Sequence, residues 1–301
     1  MSEPQLAESR VAGSQIAESR VAEPVAGTRA SGFFAGRGPA DPGLALFLNA
    51  GDPGLDRLAE LVHLLDAERV DCLELAVPFP DSVTDGPVIR RSADRALAAG
   101  VDLDAVLGFV DRVRPGLRHT RIALLADWSH SVRAVGLEEF LRRARGAGAD
   151  ATLLHGLPPL ARRRYLAAAA RIGQPVVTTC YPGSDPEVLA ESAEFASAYL
   201  YLVAHYGRSG TAPAPDRAEL APVIARLRAL TAAPLAVGFG VRTAADVAAM
   251  GGIGADAAIV GSALVAEVER AAADGADLGE RFTGFVAGLR PPARGVRTGT
   301  T

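Results

Sequence analysis

Eight times between about residue 40 and residue 290, a short apolar run gives way to a longer stretch in which apolar residues recur at three- and four-residue spacing. Runs this short and this continuously apolar suit strands buried on both faces, and the stretches between them suit crossover helices. The strands are expected at Leu44 to Asn49, Cys72 to Val77, Arg121 to Ala126, Ala151 to His155, Pro175 to Thr179, Ala198 to Ala204, Leu235 to Gly238 and Ala257 to Val260. Helices are expected to include Leu55 to Leu65, Leu137 to Ala147, Pro159 to Arg171, Asp216 to Leu230 and Thr243 to Met250. Eight such units in about 250 residues predict a single α/β (β/α)8 TIM barrel rather than an open doubly wound sheet. Chemistry in such a barrel belongs at the carboxyl ends of the strands.

The flanks read differently. Residues 1–39 repeat AESRVA at Ala7 to Ala12 and Ala17 to Ala22, among Gly, Ser, Pro and Glu, and form an expected disordered low-complexity tail. Residues 40–290 form the expected catalytic barrel domain, and residues 291–301, rich in Pro, Gly, Arg and Thr, a short flexible tail. A net charge of -4 without basic blocks argues against nucleic acid or an anionic membrane as partner. There is no apolar run long enough to span a membrane and no cationic, apolar leader, so a cytoplasmic location is the expectation. Cys72 and Cys180 sit in apolar runs and read as core residues, with no CxxC or histidine cluster to hold a metal. All 31 basic residues are arginine. A chain without lysine can form neither a Schiff base nor a pyridoxal phosphate linkage, and any phosphate must be held by backbone amides, hydroxyls or arginine.

Polar residues gather where barrel chemistry would sit. The second strand leads into LELAVPFPDSVTDGP, Leu73 to Pro87, which places Glu74 inside an apolar strand and Asp81 and Asp85 in the loop beyond. Burial would raise the Glu74 pKa toward the range useful for proton transfer. The alternative is that Glu74 pairs with an arginine or faces the helices, and that Asp85 only caps a turn. Glycine-containing turns follow the last three strands: HYGRSGT at His205 to Thr211, GFGV at Gly238 to Val241 and GSA at Gly261 to Ala263. Gly261 and Ser262 open a helical run whose free amides would favour an anion. Tyr201 either fills core or points at substrate. Phe47, Phe79 and Phe239 either enclose an aromatic ring or close the barrel mouth. His205 is a lone strand-end histidine, and His63, His119, His130 and His155 lack metal-ligand spacing. Trp128, between Asp127 and His130, reads as a local cap.

With LNAGDPG at Leu48 to Gly54, the Leu73 to Pro87 block, YLYLVAHYGRSGT, GFGV and GSA, the chain resembles the tryptophan synthase α-subunit family from about Phe47 to Val265. The resemblance implies a lyase that cleaves indole-3-glycerol phosphate to indole and glyceraldehyde 3-phosphate by retro-aldol acid/base chemistry, without metal or cofactor. Position by position, it makes Glu74 the acid/base, Asp85 the carboxylate that bonds the indole N–H, and Tyr201 the tyrosine beside that glutamate. Phe239 then lines the ring site, with Phe47 a further candidate from its place at a strand end, and Gly210, Gly240, Gly261 and Ser262 the phosphate site. It implies a tryptophan synthase β subunit as partner, or else a free-standing indole producer. Three segments depart from the family pattern. His205 replaces an arginine after the sixth strand, DWSHS at Asp127 to Ser131 replaces a YxNP segment, and GLP at Gly156 to Pro158 replaces DVP and loses an aspartate. Two other readings stay open on the residues: a non-catalytic barrel that binds and activates a β subunit, and a different phosphate-binding barrel enzyme such as an isomerase or prenyltransferase.

Overall fold

The structure, a computed structural model, describes residues 32–204, 217–238 and 240–290. Its strands are β1 (Gly43–Asn49), β2 (Cys72–Ala76), β3 (Arg121–Asp127), β4 (Ala151–His155), β5 (Val177–Cys180), β6 (Tyr199–Val203), β7 (Leu235–Gly238) and β8 (Ala257–Val260). They pair in parallel in the order β4-β3-β2-β1-β8-β7-β6-β5. One bridge, Thr152 to Val176, brings β4 to β5 and turns the sheet into a ring, with the Thr152 N–H donating to the Pro175 carbonyl at 3.0 Å. The expected (β/α)8 TIM barrel is therefore present. Strand bounds follow the apolar runs closely except in β5, which starts at Val177 rather than Pro175. This is the side where the chain meets β4 at one bridge only, and proline has no N–H to extend a ladder.

The helices are α1 (Leu55–Ala67), α2 (Pro87–Ala98), α3 (Leu103–Val113), α4 (Leu137–Gly146), α5 (Pro159–Ile172), α6 (Pro186–Phe195), α7 (Arg217–Leu230), α8 (Ala244–Gly252), α9 (Ser262–Asp274) and α10 (Leu278–Leu289). Local chemistry sets their ends. The Asp102 side chain accepts from the Ala105 N–H to start α3, and Thr243 and Asp246 form a reciprocal capping box on α8. Helix α5 stops at Gly173, whose φ of 76° is the left-handed conformation glycine takes without strain. Among the described residues no helix is long and apolar enough to cross a membrane.

Alternation along each strand sorts the apolar residues into two layers. Leu44, Leu46 and Leu48 of β1 face outward and pack with Leu58, Leu61 and Leu65 of α1. Facing inward is a ring of small residues, among them Ala45, Ala123, Ala151, Ala236 and Ala257, too small to fill the lumen. Three aromatic rings fill it instead. Tyr199 of β6 stands 5.4 Å from Phe33 and 5.3 Å from Phe34, centroid to centroid. Phe33 and Phe34 are 2% and 4% exposed, so the chain packs against the barrel ahead of Pro39, where composition places the end of the tail. Each buried phenyl is worth about 1.5–3 kcal/mol, enough to order a few small residues around it. Residues 1–31 and 291–301, the remainder of the two expected tails, lie outside the described residues.

Candidate active site

Glu74 lies mid-strand in β2, paired in register with Phe47 of β1 and Ala123 of β3. It shares the inward face with Cys72, because side chains alternate along a strand. The carboxyl is 1% exposed, and its Oε1 accepts a hydrogen bond from Tyr199 Oη at 2.6 Å. Burial pushes its pKa up to about 7, and the Tyr199 bond, which favours the charged form, holds it from going further. A carboxyl in this state gives and takes protons with comparable ease near neutrality.

Above it, the loop from β2 to α2 turns at Asp81, a non-glycine residue with φ of 57°. This bend returns the loop over the cavity, where Ser82 and Asp85 bond each other twice. The Ser82 hydroxyl donates to Asp85 Oδ2 at 2.7 Å, and the Asp85 N–H approaches Ser82 Oγ at 3.3 Å. Burial raises the Asp85 pKa, opposed by the Ser82 bond and by the nearby His155 and Arg90. Tyr201 of β6 is pushed well up by burial and by the surrounding Glu74, Tyr181 and Asp85, so it stays a neutral phenol. Room for it depends on Gly238, where a Cβ would stand 2.8 Å from Tyr201 Oη.

The opposite rim is built from backbone. Gly240 takes a φ of 68°, open to glycine, and Gly261 is the N-cap of α9. Leu264 and Val265 donate back to the Gly261 carbonyl at 2.9 and 3.2 Å, which leaves the amides of the first turn, Ser262 and Ala263, without an intrahelical acceptor. Those amides and the positive end of the dipole make this rim attractive to an anion.

A cavity of about 410 Å³ joins these parts. Phe47, Glu74, Asp85, Tyr201, Gly240, Gly261 and Ser262 all line it, so residues from five strands and their loops converge as the sequence suggests. Phe239 and Gly210, together with His205, lie outside the described residues. Phe79 lies beside the main cavity, lining a smaller one of about 90 Å³. Two contributors have no assigned role in the sequence reading, Tyr199 and His155, the second set aside for want of metal-ligand spacing. Tyr199 holds Glu74, and its signal is its position two residues before Tyr201, on the same strand face. His155 lines the cavity at the carboxyl end of β4, which is where barrel chemistry is sought. Among the described residues no group of three or more His, Cys, Asp or Glu is placed to hold a metal.

Comparison with known proteins agrees with this geometry. A sequence model of the family described as tryptophan synthase alpha chain matches residues 36–289. The tryptophan synthase alpha chain of Janthinobacterium sp. (strain Marseille) is 35% identical over 248 residues, 82% of this chain and 92% of its own. That of Burkholderia thailandensis is 37% identical over 254 residues, 84% of this chain and 92% of its own. Among solved structures, tryptophan synthase subunit alpha from Legionella pneumophila superposes with a TM-score of 0.74 at 30% identity, covering 83% of this chain and 91% of that one. A mutant alpha-subunit from Pyrococcus furiosus gives 0.74 at 28% identity, covering 83% and 98%. On sequence and structure alike, the chain belongs to the tryptophan synthase alpha chain family.

Proposed function

We propose that this protein is a carbon–carbon lyase that cleaves indole-3-glycerol phosphate to indole and glyceraldehyde 3-phosphate, a step of tryptophan biosynthesis. The observation that carries the reading is one buried carboxyl poised near neutrality at the floor of a cavity, with a second carboxyl above it and free helix amides on the far rim. Retro-aldol cleavage must take a proton from a side-chain hydroxyl and deliver one to the ring carbon that leaves. Glu74 serves both needs. Protonating that carbon develops positive charge at the ring nitrogen, which the Asp85 carboxylate stabilises while accepting its N–H. Phe47 packs against the ring, and Tyr201 supplies a neutral hydroxyl beside Glu74. Gly240, Gly261 and Ser262 hold the phosphate, so binding far from the broken bond orients the reacting atoms. The direct test is to incubate the purified protein with indole-3-glycerol phosphate and follow indole; no indole above the uncatalysed rate rejects the reading.

Removing the hydroxyl at the phosphate rim separates binding from chemistry. Ser262→Ala is expected to raise KM about 10- to 100-fold, the loss of one charge-assisted hydrogen bond, and to leave kcat within a factor of three. Steady-state kinetics check this, and an equal fall in kcat would place Ser262 in the chemical step instead.

For a partner, we propose the β chain of tryptophan synthase. Val83, in the loop that carries Asp85, is 76% exposed, and Leu160, in the first turn of α5, is 93% exposed. Both follow carboxyl ends of strands and therefore stand on the cavity face, as a covered apolar pair would. Co-elution with a β chain on size exclusion is expected, and Val83→Asp with Leu160→Asp is expected to weaken it at least tenfold. Separate elution at micromolar concentrations would count against the pairing.

A further inference from the structure

One histidine in the cavity wall has no task in the cleavage chemistry. His155 closes β4 opposite Asp127 in the β3–β4 ladder. Its ring stacks with Phe79, centroids 5.9 Å apart and planes at 28°, and its Nε2 lies 3.5 Å from Thr84 Oγ1. It therefore touches the β2–α2 loop twice, near its start and at the residue before Asp85. A second imidazole, His130, also stacks with Phe79, at 5.6 Å and 24°.

His130 is itself fixed. It belongs to a single π-type turn, Trp128–Val132, capped by Asp127, whose Oδ1 accepts from the His130 N–H at 2.9 Å and lies 2.8 Å from its Nδ1. Asp127 is buried, at 5% exposure, and the space its carboxylate fills exists because residue 156 is glycine. Gly156 has a φ of 66°, and a Cβ on it would stand 2.8 Å from Asp127 Oδ2. The segments at Asp127 to Ser131 and at Gly156 to Pro158 thus belong to one arrangement. The loop end of β3 supplies a carboxylate and an imidazole, and the loop end of β4 yields the room.

We propose that His155 and His130 are positioning residues: their rings hold Phe79, and His155 holds Thr84, so that Asp85 stands over the cavity. The catalytic part of this inference rests on the function proposed above; the placement of the loop does not. Three variants of the full chain test it, His155→Ala, His155→Phe and His130→Ala, each read by steady-state cleavage of indole-3-glycerol phosphate and by amide hydrogen exchange in the peptide covering residues 78–86. His155→Ala is expected to lower kcat roughly tenfold or more, since small misplacements of a catalytic group are costly, while KM changes less than threefold. The loop amides are expected to exchange about tenfold faster. His155→Phe keeps a flat ring against Phe79 but loses the Nε2 contact with Thr84, and is expected to recover part of the slow exchange and part of the lost kcat. His130 does not line the cavity, and its ring meets Phe79 and Asp127, so matching losses of kcat and of exchange protection in His130→Ala act through these neighbours and not through a substrate contact. Unchanged exchange in both alanine variants, or exchange in His155→Phe as fast as in His155→Ala, overturns the proposal. So does a loss of kcat with exchange unaltered, which would make His155 a substrate contact. If the wild type forms no indole while exchange responds as described, the cleavage reading fails and the loop placement stands.

Discussion

Glu74→Gln is expected to reduce indole formation by roughly 10³-fold or more and, at the same time, to make the protein more stable above neutral pH. The activity follows from chemistry: an amide of nearly the same shape neither takes the hydroxyl proton nor delivers one to the ring carbon. The stability follows from linkage. The Glu74 pKa is about 7 in the folded protein against an ordinary value of 4.5, so the folded state binds this proton more tightly than the unfolded chain. The resulting stabilisation is complete below about pH 4.5 and is lost as pH rises through about 7, leaving a buried carboxylate whose cost is on the order of 3 kcal/mol. Glutamine carries no such cost, and its side-chain oxygen still accepts from Tyr199 Oη, the bond that Glu74 makes at 2.6 Å. The Tm of the variant minus that of the wild type is therefore expected to grow between pH 5 and 7.5 and then level off. Measured rates and paired melting curves decide it. Retained turnover would remove Glu74 from the proton path, and a flat Tm difference would mean that its carboxyl is not held near neutrality.

Asp85→Asn is expected to cost about 100-fold in kcat, close to 3 kcal/mol of transition-state stabilisation, with KM changed less than threefold. The substitution preserves shape, and the amide oxygen can still accept from the Ser82 hydroxyl that now donates to Oδ2 at 2.7 Å. What disappears is the fixed negative charge, whose worth is largest when the ring nitrogen turns positive and small in the bound substrate. The loss therefore falls on kcat. A variant that instead raises KM with kcat intact would show that Asp85 merely binds the ring, and that charge develops elsewhere.

The barrel was legible because strands covered on both faces leave continuous apolar runs, and those runs fall almost where β1 to β8 lie. Glu74 was legible for the complementary reason, as one ionisable residue inside such a run. Tyr199 was not, because a tyrosine in a barrel strand is ordinary; its importance comes from a contact with Glu74, 125 residues away in sequence. His155 is the same case, since nothing near it in sequence predicts that a ring on β4 reaches Thr84, 71 residues earlier. Phe33 and Phe34 were obscured by averaging, two large rings within a stretch of Gly, Ala and Ser that as a whole reads as unable to order. Local patterns report on local structure, whereas these contacts exist only once the ring of strands has closed.

The aromatic floor beneath Glu74 ties the two ends of the cylinder together. Phe33 and Phe34 press on Tyr199, and Tyr199 grips the acid that faces the substrate. Residues upstream of the first strand thus act as a keel for the chemistry above, and trimming the chain to begin at Pro39 would remove ballast from beneath the reacting carboxyl without touching the rim where the reaction takes place.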